Sequence, residues 1–443
     1  MEGKIIVVGA GHGGLVTAEL LGRHGCDVVI YEQNRQGEVS YDWHDDVTPH
    51  VFDRLGIPLP EPRCYFKKRD WTFITPDGNH AIRIYQDEEK IDLSMERRPL
   101  VEMLIERAAE SAAICFNTAV DGLIVENNRV RGVLAGGKRV YADLVIDSSG
   151  VNSILREQLP ESYGIQRYPR QDELIYAYRA FYERRAGSKD PDHTNKAYLK
   201  HLGEAGISWC ILDPSGQVNV LVGRIGRLDQ STLHRSLQAL RDDNEIIGER
   251  VLRGGVTLPI PIRYPLSRMA GPGYAAVGDS AFMTIPLLGS GIAHAMTAGR
   301  ILGEVIISAE NSPFAEDNLW RYQVRAMEAF GAQSAGVDIL KRWLLSADND
   351  DLSYLMGRKI IEADEMKKVA VGELIELSPA AMLRKLLAGY RKTALLLQLN
   401  RVLGQTRRAK KLALSLPQVY DKVKVARWQS QYDRFMQQQP TVN

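Results

Sequence analysis

Two kinds of apolar pattern alternate along the first third of the chain. Ile5 to Val8 and Val28 to Tyr31 are short, unbroken and rich in β-branched residues, the pattern of strands covered on both faces of a parallel sheet. Leu15 to Gly22, between them, continues as a helix. A short helix is predicted over Pro49 to Leu55. Cys64 to Phe66, Trp71 to Ile74 and Ala81 to Tyr85 alternate like half-exposed strands, with Pro76-Asp77-Gly78 as a turn. A helix is predicted from Met95 to about Ser111, with Pro99 in its first turn, where the missing N–H costs nothing. Ala113 to Phe116 is a short strand. A small meander over Val120–Glu126, Val130–Leu134 and Lys138–Tyr141 follows, then a buried strand over Ala142–Asp147 and a short helix containing Arg156.

The pattern changes between Tyr168 and Pro261. Ile175–Tyr182, Lys196–Leu202, Ile207–Leu212 and Val218–Val222 read as strands and Leu233–Arg241 as a helix, which together predict an antiparallel sheet with helices on one face. Tyr274–Asp279 returns to a buried strand. Pro286 to Ile292 is a Gly-rich turn opening a long helix, Ala293–Ile307. From Glu316 the chain is helical to near its end. Three regions are expected: an α/β domain assembled from residues 1–62, 92–167 and 262–312; an α+β domain from 63–91 and 168–261; and a helical domain, 313–443.

The first strand runs straight into Gly9-Ala10-Gly11-His12-Gly13-Gly14, a G-x-G-x-x-G spacing. Gly9 permits a tight turn, Gly11 lets the backbone approach a pyrophosphate, and Gly14 lets the helix pack closely on the strand. The helix start then offers free N–H groups and a positive dipole end to phosphate. The second strand ends at Glu32, placed to bond both hydroxyls of an adenosine ribose and to repel a 2′-phosphate. Strand, fingerprint, helix, strand and acid in that order point to a dinucleotide site far more specifically than the glycines alone. Gly254-Gly255 has no second fingerprint around it, so electrons are expected from outside.

Charge refines this picture. The net charge is +1 over 443 residues, which gives no nucleic-acid signature. Its distribution is uneven, because thirteen of the basic residues and only two acidic ones, Asp421 and Asp433, lie from Ala381 onward. That tail also carries Leu386, Leu387, Leu395, Leu396, Leu397, Leu399, Leu403, Leu412 and Leu414. It reads either as a basic amphipathic surface for an anionic membrane or as helices packed on the body with their charges solvated. The four cysteines show no C-x-x-C spacing, which argues against a zinc site or a disulfide framework and for a reducing compartment. No metal site is expected. The chain begins without a basic leader, and no apolar run approaches about 20 residues, so a cytoplasmic location is expected, with membrane contact following only on the first of the two readings of the tail.

Four separated motifs together resemble a known group. They are Gly9/Gly11/Gly14 with Glu32; Arg97-x-x-Leu100-x-x-x-Leu104; Asp147-x-x-Gly150-x-Asn152-Ser153; and Gly278-Asp279 with Pro286-Leu-x-Gly-x-Gly291. In that order they resemble the FAD-dependent oxidoreductases of the para-hydroxybenzoate hydroxylase superfamily, and within it the geranylgeranyl reductases. The resemblance covers Met1 to about Ala309. It implies a Rossmann-like FAD-binding fold of the glutathione-reductase type, an antiparallel α+β substrate domain and a helical C-terminal domain. It further implies that Gly9, Gly11, Gly13, Gly14, Glu32, Arg97, Gly150, Asp279, Pro286, Gly289, Gly291 and Ile292 hold FAD. Arg97 would reach the pyrophosphate as a charged fork, and the helix beginning near Ile292 would aim its positive end at the flavin. The substrate-sheet motif of those reductases, Tyr-x-Trp-x-Phe-Pro, is represented by Ile207-Ser-Trp209-Cys-Ile-Leu-Asp-Pro214, in which Trp209 is kept, the Tyr and Phe are not, and Asp213 is extra. Their cysteine–glycine segment is replaced by Tyr41 to Asp46.

The activity implied is hydride transfer from flavin to a carbon–carbon double bond of an isoprenoid or other apolar substrate, with NAD(P)H or a ferredoxin as external electron donor. His44, Asp45 and Asp46 are candidates to supply the proton, with capping of the following helix as their structural alternative. Trp209 is a candidate substrate wall. A flavin monooxygenase or halogenase shares every cofactor motif. A prenyl-binding protein without redox activity, similar to the guanine-nucleotide dissociation inhibitors, is a third reading, but it leaves Asp279 and the Pro286–Gly291 turn without a use.

Overall fold

The run Lys4–Val8 takes the centre of a six-stranded sheet, because apolar residues on both sides of the strand need cover on both faces. It pairs in parallel with Asp27–Tyr31 and with Leu144–Asp147. Ala113–Cys115 and Tyr274–Ala276 extend the parallel order outward, and Ala270–Gly271 closes one edge antiparallel. The computed structural model describes residues 3–376 and 378–439. Helices His12–Arg23 and Ile292–Ile307 pack together, the first beginning just past the carboxyl end of Lys4–Val8, and a third helix, Arg97–Ala109, packs beside the first. That helix starts two residues later than its sequence suggests, because Met95 and Glu96 complete the strand Asp92–Glu96. The expected meander is present as three strands, Val120–Glu126, Arg129–Ala135 and Lys138–Tyr141.

A seven-stranded sheet stands against this domain, in the order Ile247–Pro261, Leu174–Arg184, Val218–Ile225, Gly206–Leu212, Asn195–Leu199, Asp70–Ile74, Ala81–Tyr85. It is antiparallel except where Asn195–Leu199 meets Asp70–Ile74 in parallel. Two-residue periodicity sorts its side chains. Ala180, Tyr182, Tyr198, Cys210, Val220 and Val222 face one way and are covered by helix Gln230–Asp243 through Leu233 and Leu240. Ala177, Phe181, Trp209 and Leu221 face the other way, toward Trp43 and the nucleotide-binding domain.

The strand Ile247–Pro261 is not evident in the sequence. It carries Glu249, Arg250 and Arg253 on an edge, and Gly254 and Gly255 adopt left-handed φ of 74° and 78° where the register shifts. The excursion between residues 63 and 91 is also divided. Asp70–Ile74 and Ala81–Tyr85 join the large sheet, while Tyr65–Lys68 pairs with Asp92–Glu96, which in turn pairs with His44–Val47.

The C-terminal helices close the far side. Glu316–Ala326 continues through a widened turn into Ala332–Ser346, on which Thr393–Leu414 lies. Leu395, Leu396, Val402, Leu403, Ala409 and Ala413 are buried in that contact, and Val425, Trp428, Tyr432 and Met436 are buried on the last helix, Lys422–Gln437. The principal apolar face of the basic tail is therefore packed on the body. No helix among the described residues is long and apolar enough to cross a membrane.

Candidate flavin and substrate site

Two helix N-termini and the ends of the parallel strands enclose a cleft. Its walls bring together Gly11, Gly13, Arg97, Gly150, Asp279, Gly289, Gly291 and Ile292 from the residues singled out in the sequence, with His12, Tyr41, Trp43 and Asp45 beside them. Gly9, Gly14, Glu32 and Pro286 stand back from the wall. Gly9 turns with a φ of 85°, and a Cβ there would meet the Ser148 carbonyl oxygen at 2.7 Å. A Cβ on Gly14 would meet Ser148 Oγ at 2.7 Å and Val7 at 2.9 Å, so that glycine is required for helix–strand packing, as expected. Gly11 and Gly13 are packing glycines too, against Ser148 and against Val277 and Ala295. Glu32 is buried behind the loop, where its carboxylate accepts the Ala10 N–H and both the backbone and side-chain N–H of Asn34, each at 2.8 Å. Pro286 lines a deeper chamber instead.

The cleft's own polar groups are left open. His12 Nε2 is buried without a partner among the described residues, and burial, then the Arg97 charge, pushes its pKa well down. Burial pushes the Asp279 carboxyl up, with Arg97 opposing. Gly150, at a φ of 95°, has open space where a side chain would project. Burial also opposes the Arg97 charge, but Tyr41, Asp45 and Asp279 outweigh it. Its guanidinium donates to Ser40 Oγ at 2.9 Å, pairs with Asp45 and lies 4.2 Å over the Tyr41 ring. Unsatisfied donors, a buried cation and two helix N-termini in one cleft fit a dinucleotide's pyrophosphate and flavin.

A second cavity of about 330 Å³ adjoins the cleft, sharing Trp43, Asp45, Ile260 and Gly289 with it. Trp71, Phe73, Trp209, Leu221 and Ile285 supply its apolar wall, and Asp46, Lys68, Asp92 and Arg179 its polar one. Trp209 is thus a wall residue, anchored by its Nε1 to Asn219 Oδ1 at 3.3 Å.

The run His44–Asp45–Asp46 is a strand, which distributes it over two faces. Helix His50–Leu55 begins at Pro49 with no side-chain cap, so the capping alternative falls. His44 points away from both cavities into an ion cluster, with Nε2 2.6 Å from Glu96 Oε1 and 2.8 Å from Arg253. Asp45 faces the cleft and Arg97. Asp46 accepts from Lys68 Nζ at 2.7 and 2.8 Å, and its carbonyl accepts from Ser290 Oγ at 2.7 Å. The main chain of Asp46 therefore touches the Pro286–Gly291 turn. His294 lies outside the cleft wall and stacks on Phe330 at 4.4 Å. Among the described residues no cluster of His, Cys, Asp or Glu is arranged for a metal, and all four cysteines are unbridged.

Comparison with known proteins places this geometry. A model of NAD(P)-binding Rossmann-like domains matches residues 7–57. A digeranylgeranylglycerophospholipid reductase of Sulfolobus acidocaldarius is 25% identical over 426 residues, covering 93% of each chain. In sequence the chain is thus similar to FAD-dependent reductases of the geranylgeranyl type. The fold agrees: a geranylgeranyl bacteriochlorophyll reductase-like protein from Thermoplasma acidophilum superposes with a TM-score of 0.73 at 19% identity, over 90% of this chain and 99% of that one. The flavin-dependent brominase Bmp2 shares the fold more loosely, with a TM-score of 0.61 at 16% identity over 88% and 98% of the two chains. The Rossmann-like match and these neighbours support FAD as the cofactor, and the residues lining the cleft are those that would hold it.

Lys68, Asp92, Trp43 and Arg179 were not among the residues expected at the site. Arg179 was the most accessible of them to sequence reasoning, because in Ala177-Tyr178-Arg179-Ala180-Phe181 the neighbouring positions are apolar or aromatic and a charge at the centre of such a strand needs a reason.

A third space adjoins the second cavity. Phe73, Ile207, Leu287, Leu288 and Ala370 line both, and beyond them a chamber of about 140 Å³ runs between the large sheet and the C-terminal helices, walled by residues such as Trp343, Leu344, Met356 and Leu403.

Proposed function

We propose that the protein reduces carbon–carbon double bonds in an isoprenoid-type, apolar-tailed substrate. The observation that carries this reading is the cavity beside the Gly289–Gly291 turn opening into an apolar chamber. Such a shape suits a long hydrocarbon with one section held against the cofactor. Reduced FAD, when bound, supplies a hydride. Trp43, Trp71, Phe73, Trp209 and Leu221 orient the chain and exclude water from the reacting bond. Asp46, whose carbonyl meets the Pro286–Gly291 turn, and its partner Lys68 would hold the proton for the second carbon. Burial lowers the Lys68 pKa, which favours its release of that proton. Electrons enter from a nicotinamide or a small redox protein.

The test is anaerobic. The holoprotein is reduced with dithionite, a geranylgeranyl lipid is added, and the flavin absorption is followed with mass analysis of the lipid. Return of the oxidised band with gain of two hydrogens per double bond is expected. A flavin that stays reduced until oxygen is admitted would overturn the reading in favour of oxygen chemistry.

A further inference from the structure

Two carboxyl groups and one ammonium occupy a single face of the three-stranded sheet. Antiparallel pairing sets Lys68 directly opposite Asp92, and Asp46 opposite Ser94. Asp46, Lys68 and Asp92 therefore project to the same side as near neighbours, and all three line the cavity beside the flavin turn. Lys68 is committed to one of the two acids. Its Nζ bonds both carboxylate oxygens of Asp46, at 2.7 and 2.8 Å, and lies 4.4 Å over the Trp71 ring. Among the described residues nothing donates to the Asp92 carboxyl, and its oxygens are not among the sealed, unpaired atoms, so they open to the cavity.

An ionised carboxylate in a largely apolar cavity is costly without a bonded cation, whereas the neutral acid is not. Burial, then the Asp46 charge, raises the Asp92 pKa against Lys68, while burial lowers the pKa of Lys68. The two opposed groups are thereby drawn together in proton affinity, which favours transfer between them. The cavity also reaches the surface. His50, Lys90 and Glu373 line it, and Lys90 and Glu373, each about half exposed, pair at 3.3 Å. The remaining charged groups on the wall, Asp45 and Arg179, are held by Arg97 and Asn219.

We propose that Asp92 is the proton store of this cavity, a relay residue that reloads Lys68 after each reduction and is itself reloaded from solvent on the side of Lys90 and Glu373. This rests on the reductase reading for the step that consumes the proton. In that step the Lys68 ammonium gives its proton to the second alkene carbon while hydride from the reduced cofactor bonds the first. Neutral Lys68 leaves Asp46 without a cation, and the Asp92 acid restores the pair by passing its proton to the amine. The Asp92 carboxylate then takes a proton from water. One solvent proton is consumed per double bond, and no reductant beyond the reduced cofactor is needed.

The experiment has an equilibrium arm and a kinetic one. Infrared difference spectra of the oxidised holoprotein, taken between about pH 5 and about pH 9, should show a carboxylic-acid C=O band that fades as pH rises and is missing from Asp92→Asn. In the kinetic arm the holoprotein reduces a geranylgeranyl lipid under excess dithionite. Lys68 begins loaded, so Asp92→Asn should show a burst of one double bond per flavin and then a steady rate about tenfold below wild type, with KM for the lipid within about twofold. The wild-type steady rate should fall about tenfold per pH unit above the Asp92 ionisation, a limb that Asp92→Asn lacks and Asp92→Glu restores. An infrared band unchanged in Asp92→Asn would overturn the proposal. A limb that persists in that variant would do so too, because another group would then carry the proton. A first turnover slowed as much as the later ones, with Asp92→Glu no better, would make the residue structural and would also overturn it. If no lipid is reduced at any pH, the reductase reading falls, and the infrared band alone then sustains or removes Asp92 as the proton store.

Discussion

Alternation along a strand decides what each acidic residue near the substrate cavity can do. On the three-stranded sheet, Asp46, Lys68, Asp92 and Ser94 share one face, while Asp45 and Leu93 share the other. Asp46 has a hydrogen-bonded cation; Asp92 has none, and feels Lys68 only as a neighbouring charge. Burial, then repulsion from Asp46, pushes the Asp92 carboxyl up to about 7. The sign of the stability effect follows from proton binding. Between the unfolded carboxyl value near 4 and about 7, the folded chain holds a proton that the unfolded chain has lost, so this group lowers stability as pH rises through that window. Asp92→Asn removes the titration. Thermal unfolding should show the variant more stable than wild type at pH 8, with the advantage disappearing toward pH 4. A constant difference across that range would show that Asp92 is not held neutral.

Close approach of two helices sets the geometry of the flavin cleft. Helices His12–Arg23 and Ile292–Ile307 both begin on its wall, and Thr17 Oγ1 bridges them by hydrogen bonds to Gly13 O at 2.8 Å and Gly299 O at 2.9 Å. A Cβ on Gly299 would stand 2.2 Å from the Gly13 carbonyl oxygen, a backbone atom that cannot rotate away. Gly299→Ala should therefore destabilise the protein by about 1–3 kcal/mol, as overpacking does, and release FAD more readily, read by denaturant unfolding and by the flavin retained on gel filtration. An unchanged flavin content would mean that the two helix starts are not coupled through this contact. The fingerprint made the first of these helices legible, because its glycines sit at spacings that only a strand–turn–helix needs. The same reading gave Gly13 to the cofactor, and it does lie on the cleft wall; what the sequence did not reveal is that its Cβ direction is also filled by Val277 and Ala295, far away in sequence. The strand Ile247–Pro261 escaped for a related reason: its order comes from pairing with Leu174–Arg184, and its Gly254-Gly255 bulge and edge charges erase the local alternation. Arg253 on that strand then captures His44 and Glu96, which removes His44 from the site that its sequence neighbours occupy.

At the scale of the whole molecule, the chamber exists only because three regions meet. The flavin turn supplies Leu287 and Leu288, the large sheet supplies Phe73 and Ile207, and the C-terminal helices supply Trp343, Leu344 and Leu403. No local pattern in the sequence marks that space, since each wall taken alone reads as ordinary core. It also gives the helical region a role, because removing those helices would open the cavity to water. Ala370 lines both the cavity and the chamber, so a larger side chain there would intrude on the space where they meet. Ala370→Phe should close it. A twenty-carbon isoprenoid lipid should then be reduced about tenfold or more slowly, since its far end has nowhere to lie, while a ten-carbon analogue that fits in the cavity alone should react at close to the wild-type rate. The contrast between chain lengths separates a blocked passage from a damaged protein, which would lose both. Equal reduction of both lengths by the variant would show that the hydrocarbon leaves the flavin by another route, and the apolar chamber would then be packing rather than a substrate site.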